Sequence, residues 1–212
     1  MNKIHQSIAV LGLVLVSVAG CNYEPRAVGD ANPARVTEMQ QTLRDLWVGH
    51  IFWVRHVVSN IATNDPEERE AAETEVVTNT KQIAQTMTPF YGEAASEKFY
   101  RLLDGNIGAV EEYSEATAAG NKQQQDVALA HLASNADEMA DFLSHLNPYL
   151  HKDTVRSLIA THGAHHVLQI NQYKAKDYAP LGATWPMMRQ HIYVIADTFT
   201  TALVKQFPSK FS

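Results

Sequence analysis

Four segments of the sequence each place one polar residue at the centre of an apolar stripe with helical spacing: His50, Asn106, His162 and His191. An imidazole inside a packed core must find a hydrogen-bond partner or a metal ion, because burial of an unpaired polar group is costly. His166 follows His162 by four residues, so both rings lie on one helix face, where two imidazoles can share one ion. The candidate metal ligands are therefore His50, His162, His166 and His191.

Two interpretations of these histidines are open. In the first, they hydrogen-bond to one another and to backbone carbonyls and hold the helices in register, as buried polar residues do in coiled coils. In the second, they bind a divalent transition metal, since neutral imidazole is a ligand for zinc, copper, nickel and iron. The hydrogen-bonded core is the simpler of the two interpretations.

No enzyme signature is found in the sequence. It contains no Gly-x-Ser-x-Gly motif, no glycine-rich phosphate loop and no His-Glu-x-x-His motif. Cys21 is the only cysteine, which excludes a disulfide framework and a cysteine-based zinc site. An unrecognised hydrolase or oxygenase is the last of the functions that we consider.

The elements that must position the histidines are helices. From Arg35 onward, apolar residues recur with a period of 3.6, and no segment alternates for long enough to form a sheet. The pattern predicts an all-α antiparallel bundle of four long helices plus shorter ones, about six in total. The helices are expected from 35 to the break at Asn64-Asp65-Pro66, then over 67–86, 93–119, 126–146, 153–173 and 180–207, with Pro186 as a kink or restart in the last.

The chain also carries an internal repeat with an offset of 56 residues. Seven residues of one helix-break-helix segment fall on residues of the same character in the next. These are Asn79, Ile83, Met87, Phe99, Leu102, Leu103 and Asn106, which fall on Asn135, Met139, Leu143, Val155, Leu158, Ile159 and His162. Two copies of a helical hairpin that bury one shared core would explain the repeat, and chance similarity between amphipathic helices is the alternative.

The N-terminus has the features of a bacterial lipoprotein. Lys3 precedes an apolar run from Ile8 to Ala19, which is too short to span a bilayer but suits a signal peptide. The run ends in Val18-Ala19-Gly20-Cys21, which resembles the lipobox, in which the cysteine is lipidated and becomes the mature N-terminus. We expect a signal peptide over 1–20, a lipid-anchored flexible tether over 21–34 and a helical domain over 35–212. A plain secretory signal with an incidental cysteine is the alternative.

The lipobox resemblance implies a covalent lipid such as palmitate on Cys21 and a place in the cell envelope. The outer membrane is favoured, because Asn22 stands where many lipoproteins of the inner membrane have Asp. The membrane, reached through the lipid, is the one partner indicated. The formal net charge of −6 argues against a nucleic-acid partner, since no row of basic residues could neutralise phosphates.

Several short segments together form a pattern that extends over nearly the whole mature chain. They are Leu46-Trp47 with His50, Pro89 to Ala95, Asn135-Ala136-Asp137, Phe142-Leu143, His191-Ile192 with Ala196-Asp197, and Lys205 to Pro208 with Lys210-Phe211. In these residues the chain resembles an uncharacterised family of small secreted or lipid-anchored bacterial helical proteins. That family tends to have His at the position of Asn106.

A weaker resemblance is to hemerythrin-like bundles, whose metal ligands follow the order His, His-x-x-x-Glu, His-x-x-x-His and His-x-x-x-x-Asp on successive helices. Here that order is occupied by His50, Asn106 with Val110, His162 with His166, and His191 with Ala196. Both carboxylate positions are unfilled, and Asp197 lies too far round its helix to replace them. The resemblance therefore implies an imidazole-rich site for one ion rather than a carboxylate-bridged iron pair.

Two hypotheses lead from these observations. The first is an envelope lipoprotein whose helical bundle has a structural or interaction role. The second is a lipoprotein that binds a metal ion through its core histidines.

Overall fold

The computed structural model describes residues 31–212, which are almost entirely helical, and no strand occurs among them. The expectation of an all-α antiparallel bundle is confirmed. Cys21, the predicted signal peptide and most of the predicted tether lie outside the described residues. No helix within 31–212 has the length and apolar character needed to cross a membrane. The elements are α1 (Pro33–Thr63), α2 (Pro66–Gln85), the short α3 (Thr88–Tyr91), α4 (Glu93–Ala119), α5 (Lys122–Leu146), α6 (Lys152–Ala175), α7 (Tyr178–Gln206) and a 3₁₀ turn (Pro208–Lys210).

Some helix boundaries differ from those expected from the sequence. Helix α5 begins four residues before the expected start because the Asn121 side chain accepts a hydrogen bond from the backbone of Gln124, at 3.2 Å. Helix α6 has His151 at its N-cap, so Asp153 lies in the first turn instead of capping it. Pro186 lies inside α7 and does not end that helix. Both ends of α4 fall where the sequence pattern predicts them.

The 56-residue repeat occurs three times. The first helices of three hairpins, α1, α4 and α6, end at residues 63, 119 and 175, and their partners α2, α5 and α7 begin at 66, 122 and 178. The residue after each first helix is left-handed: Asn64 with φ 58°, Gly120 with φ 70° and Lys176 with φ 55°. The two-copy repeat expected from the sequence is therefore part of a threefold one.

The three hairpins pack in a ring. Helices α1, α4 and α6 contact one another at the centre. Each outer helix contacts the inner helix of its own hairpin and that of the next, so α2 packs on α4, α5 on α6, and α7 closes the ring on α1. An approximate threefold axis therefore runs between α1, α4 and α6, and equivalent residues of the three copies meet along it.

Each hairpin is held by one equivalent side-chain hydrogen bond from the outer helix to a leucine carbonyl of the inner helix. Gly49 and Gly105 leave room for this contact in the first two copies, since a Cβ there would lie 3.0 and 3.3 Å from the asparagine amide. The bonds join Asn79 Nδ2 to Leu46 O at 3.0 Å, Asn135 Nδ2 to Leu102 O at 2.8 Å, and His191 Nε2 to Leu158 O at 2.9 Å.

Two apolar clusters fill the bundle on either side of a polar layer. One contains Trp47, Leu103 and Ile159, and the other contains Val54 and Val110. The intervening turn of the inner helices carries His50, Asn106 and His162, which are equivalent residues of the three copies. The histidines singled out in the sequence thus lie where the threefold axis passes between two cores.

Replacement of Lys176 by Gly should stabilise the protein by up to about 1 kcal/mol, because a left-handed residue with a Cβ is strained and glycine is not. The free energy of unfolding in urea measures the effect. Lys98→Gly is the matched control: Lys98 is exposed within α4, where glycine should destabilise by about 1 kcal/mol. A lower free energy of unfolding in Lys176→Gly than in the unaltered chain would contradict the strain at this cap.

Candidate metal centre

Three of the four candidate histidines come together on the axis. His50 on α1 and His162 and His166 on α6 offer ring nitrogens that all lie within 4.8 Å of one another. The three side chains are 2, 3 and 1% exposed. The cluster thus joins the first and third hairpins through groups that water does not reach.

The geometry of the pair on α6 follows from helical spacing. The Nε2 atoms of His162 and His166 are 3.2 Å apart, and their rings are nearly perpendicular. His50 faces both rings across the axis, with centroid distances of 5.6 Å to His162 and 6.4 Å to His166. Trp47 packs edge-on against His50 and His162 and covers one side of the cluster.

Burial keeps these imidazoles neutral. Desolvation lowers the pKa of His50 from 6.5 to about 4 and that of His166 to about 3. Desolvation also lowers the pKa of His162 well below its usual value, and the neighbouring histidines lower it further. At neutral pH each ring therefore keeps a lone pair, which is the form that binds a metal ion.

The separation of the nitrogens suits one ion after small side-chain movements. Zinc–nitrogen bonds of about 2.0–2.1 Å in a tetrahedron place two ligand nitrogens roughly 3.3 Å apart. His162 and His166 already have this separation, at 3.2 Å. The widest pair, within 4.8 Å, would close by about 1.5 Å through ring rotation.

Hydrogen bonding among the histidines leaves several buried atoms unpaired. Nδ1 of His50 and Nδ1 of His166 have no partner, and neither does Oδ1 of Asn79. Each such atom costs about 1–3 kcal/mol. In the second hairpin the position of His50 is taken by Asn106, whose Nδ2 donates to Asn135 Oδ1 at 3.0 Å. At this position of the repeat, an asparagine therefore finds a hydrogen-bond partner on the outer helix, whereas His50 does not.

Comparison of the three copies shows that His166 is not needed for packing. The equivalent residues one and two repeats earlier are Val110 and Val54, and both are buried in the apolar cluster. A valine fits this level of the axis in two of the three inner helices. His166 thus adds a polar group that the architecture itself does not require.

His191 does not join this group. Its Nε2 is bonded to the carbonyl of Leu158, and its ring packs edge-on against His165 with centroids 5.1 Å apart. It takes the place of Asn79 and Asn135 in the repeat, which is a role on an outer helix. The sequence does carry a signal for this role. The offset of 56 residues that relates Asn79 to Asn135 also relates Asn135 to His191.

Asp197 points away from the axis, as its position on the helix predicts. It forms a two-pronged ion pair with Arg44, at 2.8 and 2.5 Å, and accepts a further hydrogen bond from Gln40. The cluster on the axis contains histidines only, within residues 31–212. These contacts favour an imidazole site over the carboxylate-rich centres of hemerythrin-like bundles.

Comparisons with protein-family models, with curated proteins and with solved structures find no match for this chain.

Without metal, stability should fall as the pH drops from about 6.5 to 4. The unfolded chain takes up protons at pH 6.5, whereas His50 and His166 in the folded state do not until about pH 4 and 3. Each such histidine contributes a slope of about 1.4 kcal/mol per pH unit. Urea unfolding with a chelator, between pH 7 and 4, measures this slope. His166→Val removes one of these histidines, so it should reduce the slope by about 1.4 kcal/mol per pH unit. An unchanged slope would contradict the burial of a neutral His166.

Proposed function

We propose that this protein binds one divalent transition metal ion through His50, His162 and His166. The convergence of three buried ring nitrogens within 4.8 Å carries the proposal. The rings are neutral, and neutral imidazole suits zinc, copper, nickel and iron. Of these, zinc fits three nitrogen ligands in a tetrahedron with one further position, which is a familiar arrangement for this ion.

The proposed ion would also complete the architecture. His50 belongs to the first hairpin and His162 and His166 to the third, so a bound ion links the two hairpins directly. Bonds from the ion to both rings of α6 would replace the hydrogen bond between His162 Nε2 and His166 Nε2, and the ion would give a partner to the buried His50 ring, whose Nδ1 has no hydrogen bond. Storage, sensing or delivery of the ion at the envelope are the roles that such a site supports.

Zinc should raise the melting temperature of the full chain, because it binds the folded state. At a zinc concentration 100 times the Kd, the gain is roughly 2.7 kcal/mol, or about 5–10 °C for a chain of this size. Thermal unfolding with and without zinc measures the shift. His166→Val and His162→Asn should each abolish the shift. Both variants should fold, because valine stands at the position of His166 in the other two hairpins and asparagine stands at the position of His162 in the second.

The control for these variants is Asn106→Ala, since Asn106 lies in the same layer but is not a proposed ligand. It should lower stability yet keep the zinc-dependent shift. No shift in the unaltered chain, combined with unfolding of the single histidine variants, would instead identify the histidines as a hydrogen-bonded core network.

We further propose that the domain is held at the cell envelope by a lipid on Cys21. The short apolar run and the small residues before Cys21 support this proposal. Asn32, 11 residues further on, caps α1 and donates its backbone N–H to the Phe211 carbonyl at 2.6 Å. The tether would therefore join the bundle at the end where α1 begins and the chain ends. A structural or interaction role and an enzymatic role remain predictions from the sequence.

Replacement of Cys21 by Ala should release the protein from membranes, because acylation of the thiol is lost. Fractionation after a salt wash, with mass spectrometry of the N-terminal peptide, measures the change. Asn22→Ala leaves the proposed lipobox intact and should stay with the membrane fraction. Retention of the Cys21→Ala variant in washed membranes would contradict the anchor.

A further inference from the structure

Gln169 is a second buried polar group on the axis that has no hydrogen-bond partner among residues 31–212. Its side chain is 0% exposed, and neither its Oε1 nor its Nε2 forms a hydrogen bond. It follows His162 by seven residues and His166 by three, so the three side chains share one face of α6. A buried amide with all its hydrogen-bonding groups unpaired costs several kcal/mol, which points to a ligand at this level.

The other two hairpins show that the fold does not need a glutamine here. The equivalents of Gln169 are Tyr113 and Val57, both of which belong to the apolar cluster. Together with His166, which replaces Val110 and Val54, Gln169 makes the axial face of α6 polar over two successive turns. The difference is confined to the helix that supplies two of the three proposed metal ligands.

Charge identifies the kind of ligand that is lacking. Three neutral imidazoles leave a divalent ion with its full positive charge in a dry interior, and the cluster includes no carboxylate among the described residues. Such a charge is stable only when it is paired. An anion in the fourth position would pair it, and the Nε2 group of Gln169 is a buried donor free to hydrogen-bond to that anion.

A depression of about 210 Å³ opens at the C-terminal ends of α1, α4 and α6. Val58, Ser114 and Ile170 are among the residues that line it, and they directly follow Val57, Tyr113 and Gln169, respectively, in the sequence. Along α6, Gln169 therefore comes between His166 and the residues that line the depression.

We propose that the metal ion carries one exchangeable small anion, and that the Gln169 amide holds this anion by donating a hydrogen bond to it. The inference rests on the proposed metal site and deepens it. It assigns a place for a small monoanion, such as hydroxide or azide, next to an ion that has three imidazole ligands. Hydroxide can be this anion when the ion is zinc, because zinc can lower the pKa of its bound water to near 7.

Cobalt(II) and azide together provide the test. In the full chain loaded with cobalt, azide should change the visible absorption of the metal, and the titration gives its Kd. Gln169→Val, which copies the first hairpin, should still bind cobalt, because His50, His162 and His166 are unchanged, but it should weaken azide binding at least tenfold. Gln169→Glu should put a negative charge where the amide donor stood, so the anion is repelled and azide no longer changes the spectrum, while the same charge tightens cobalt binding.

Gln169→Met, similar in length but without a hydrogen-bond donor, serves if the valine variant does not fold, and circular dichroism checks each variant. Three results would overturn the inference: no response to azide in the cobalt-loaded chain, equal azide affinity with and without the Gln169 amide, or loss of cobalt binding in Gln169→Val. Absence of cobalt binding to the unaltered chain is a different result, because it would refute the metal site itself.

Discussion

The structure depends on what can be buried where three inner helices meet on one axis. Any side chain on that axis is surrounded by α1, α4 and α6 and loses its water. Apolar residues satisfy this condition over most of the axis, but the central layer carries His50, Asn106 and His162, and α6 adds His166 and Gln169 beyond it. Such a layer is stable only if its polar atoms find partners inside the protein or in a bound ligand. The fold and the candidate site are therefore solutions to the same constraint.

The repeat separates what the fold requires from what has been added to it. Left-handed caps at the same place in each hairpin and the side-chain bonds to Leu46, Leu102 and Leu158 occur three times, which marks them as architecture. His166 and Gln169 occur once, at positions where the other hairpins are less polar. Residues that break an internal symmetry at a packing cost are expected at functional sites.

The sequence predicted the helices well because amphipathic periodicity and capping residues are local signals. It also indicated all three proposed ligands, since His162 and His166 share a helix face and His50 interrupts an apolar stripe. His191 was misplaced because the repeat was read in two copies only; extending it from Asn79 and Asn135 to His191 assigns that residue to an outer helix, opposite the carbonyl of Leu158. Gln169 gave no signal: a lone glutamine in a helix is ordinary until burial shows that both of its amide atoms are unpaired.

X-ray absorption at the zinc edge of the zinc-loaded chain tests the metal site most directly, because it counts ligands without assuming a structure. The account predicts four light-atom ligands at about 2.0–2.1 Å, three of which show the outer-shell scattering of imidazole. His166→Val should remove one imidazole from that count. A spectrum with six oxygen-like ligands and no imidazole scattering would mean that zinc binds elsewhere on the surface, and it would contradict the site on the axis.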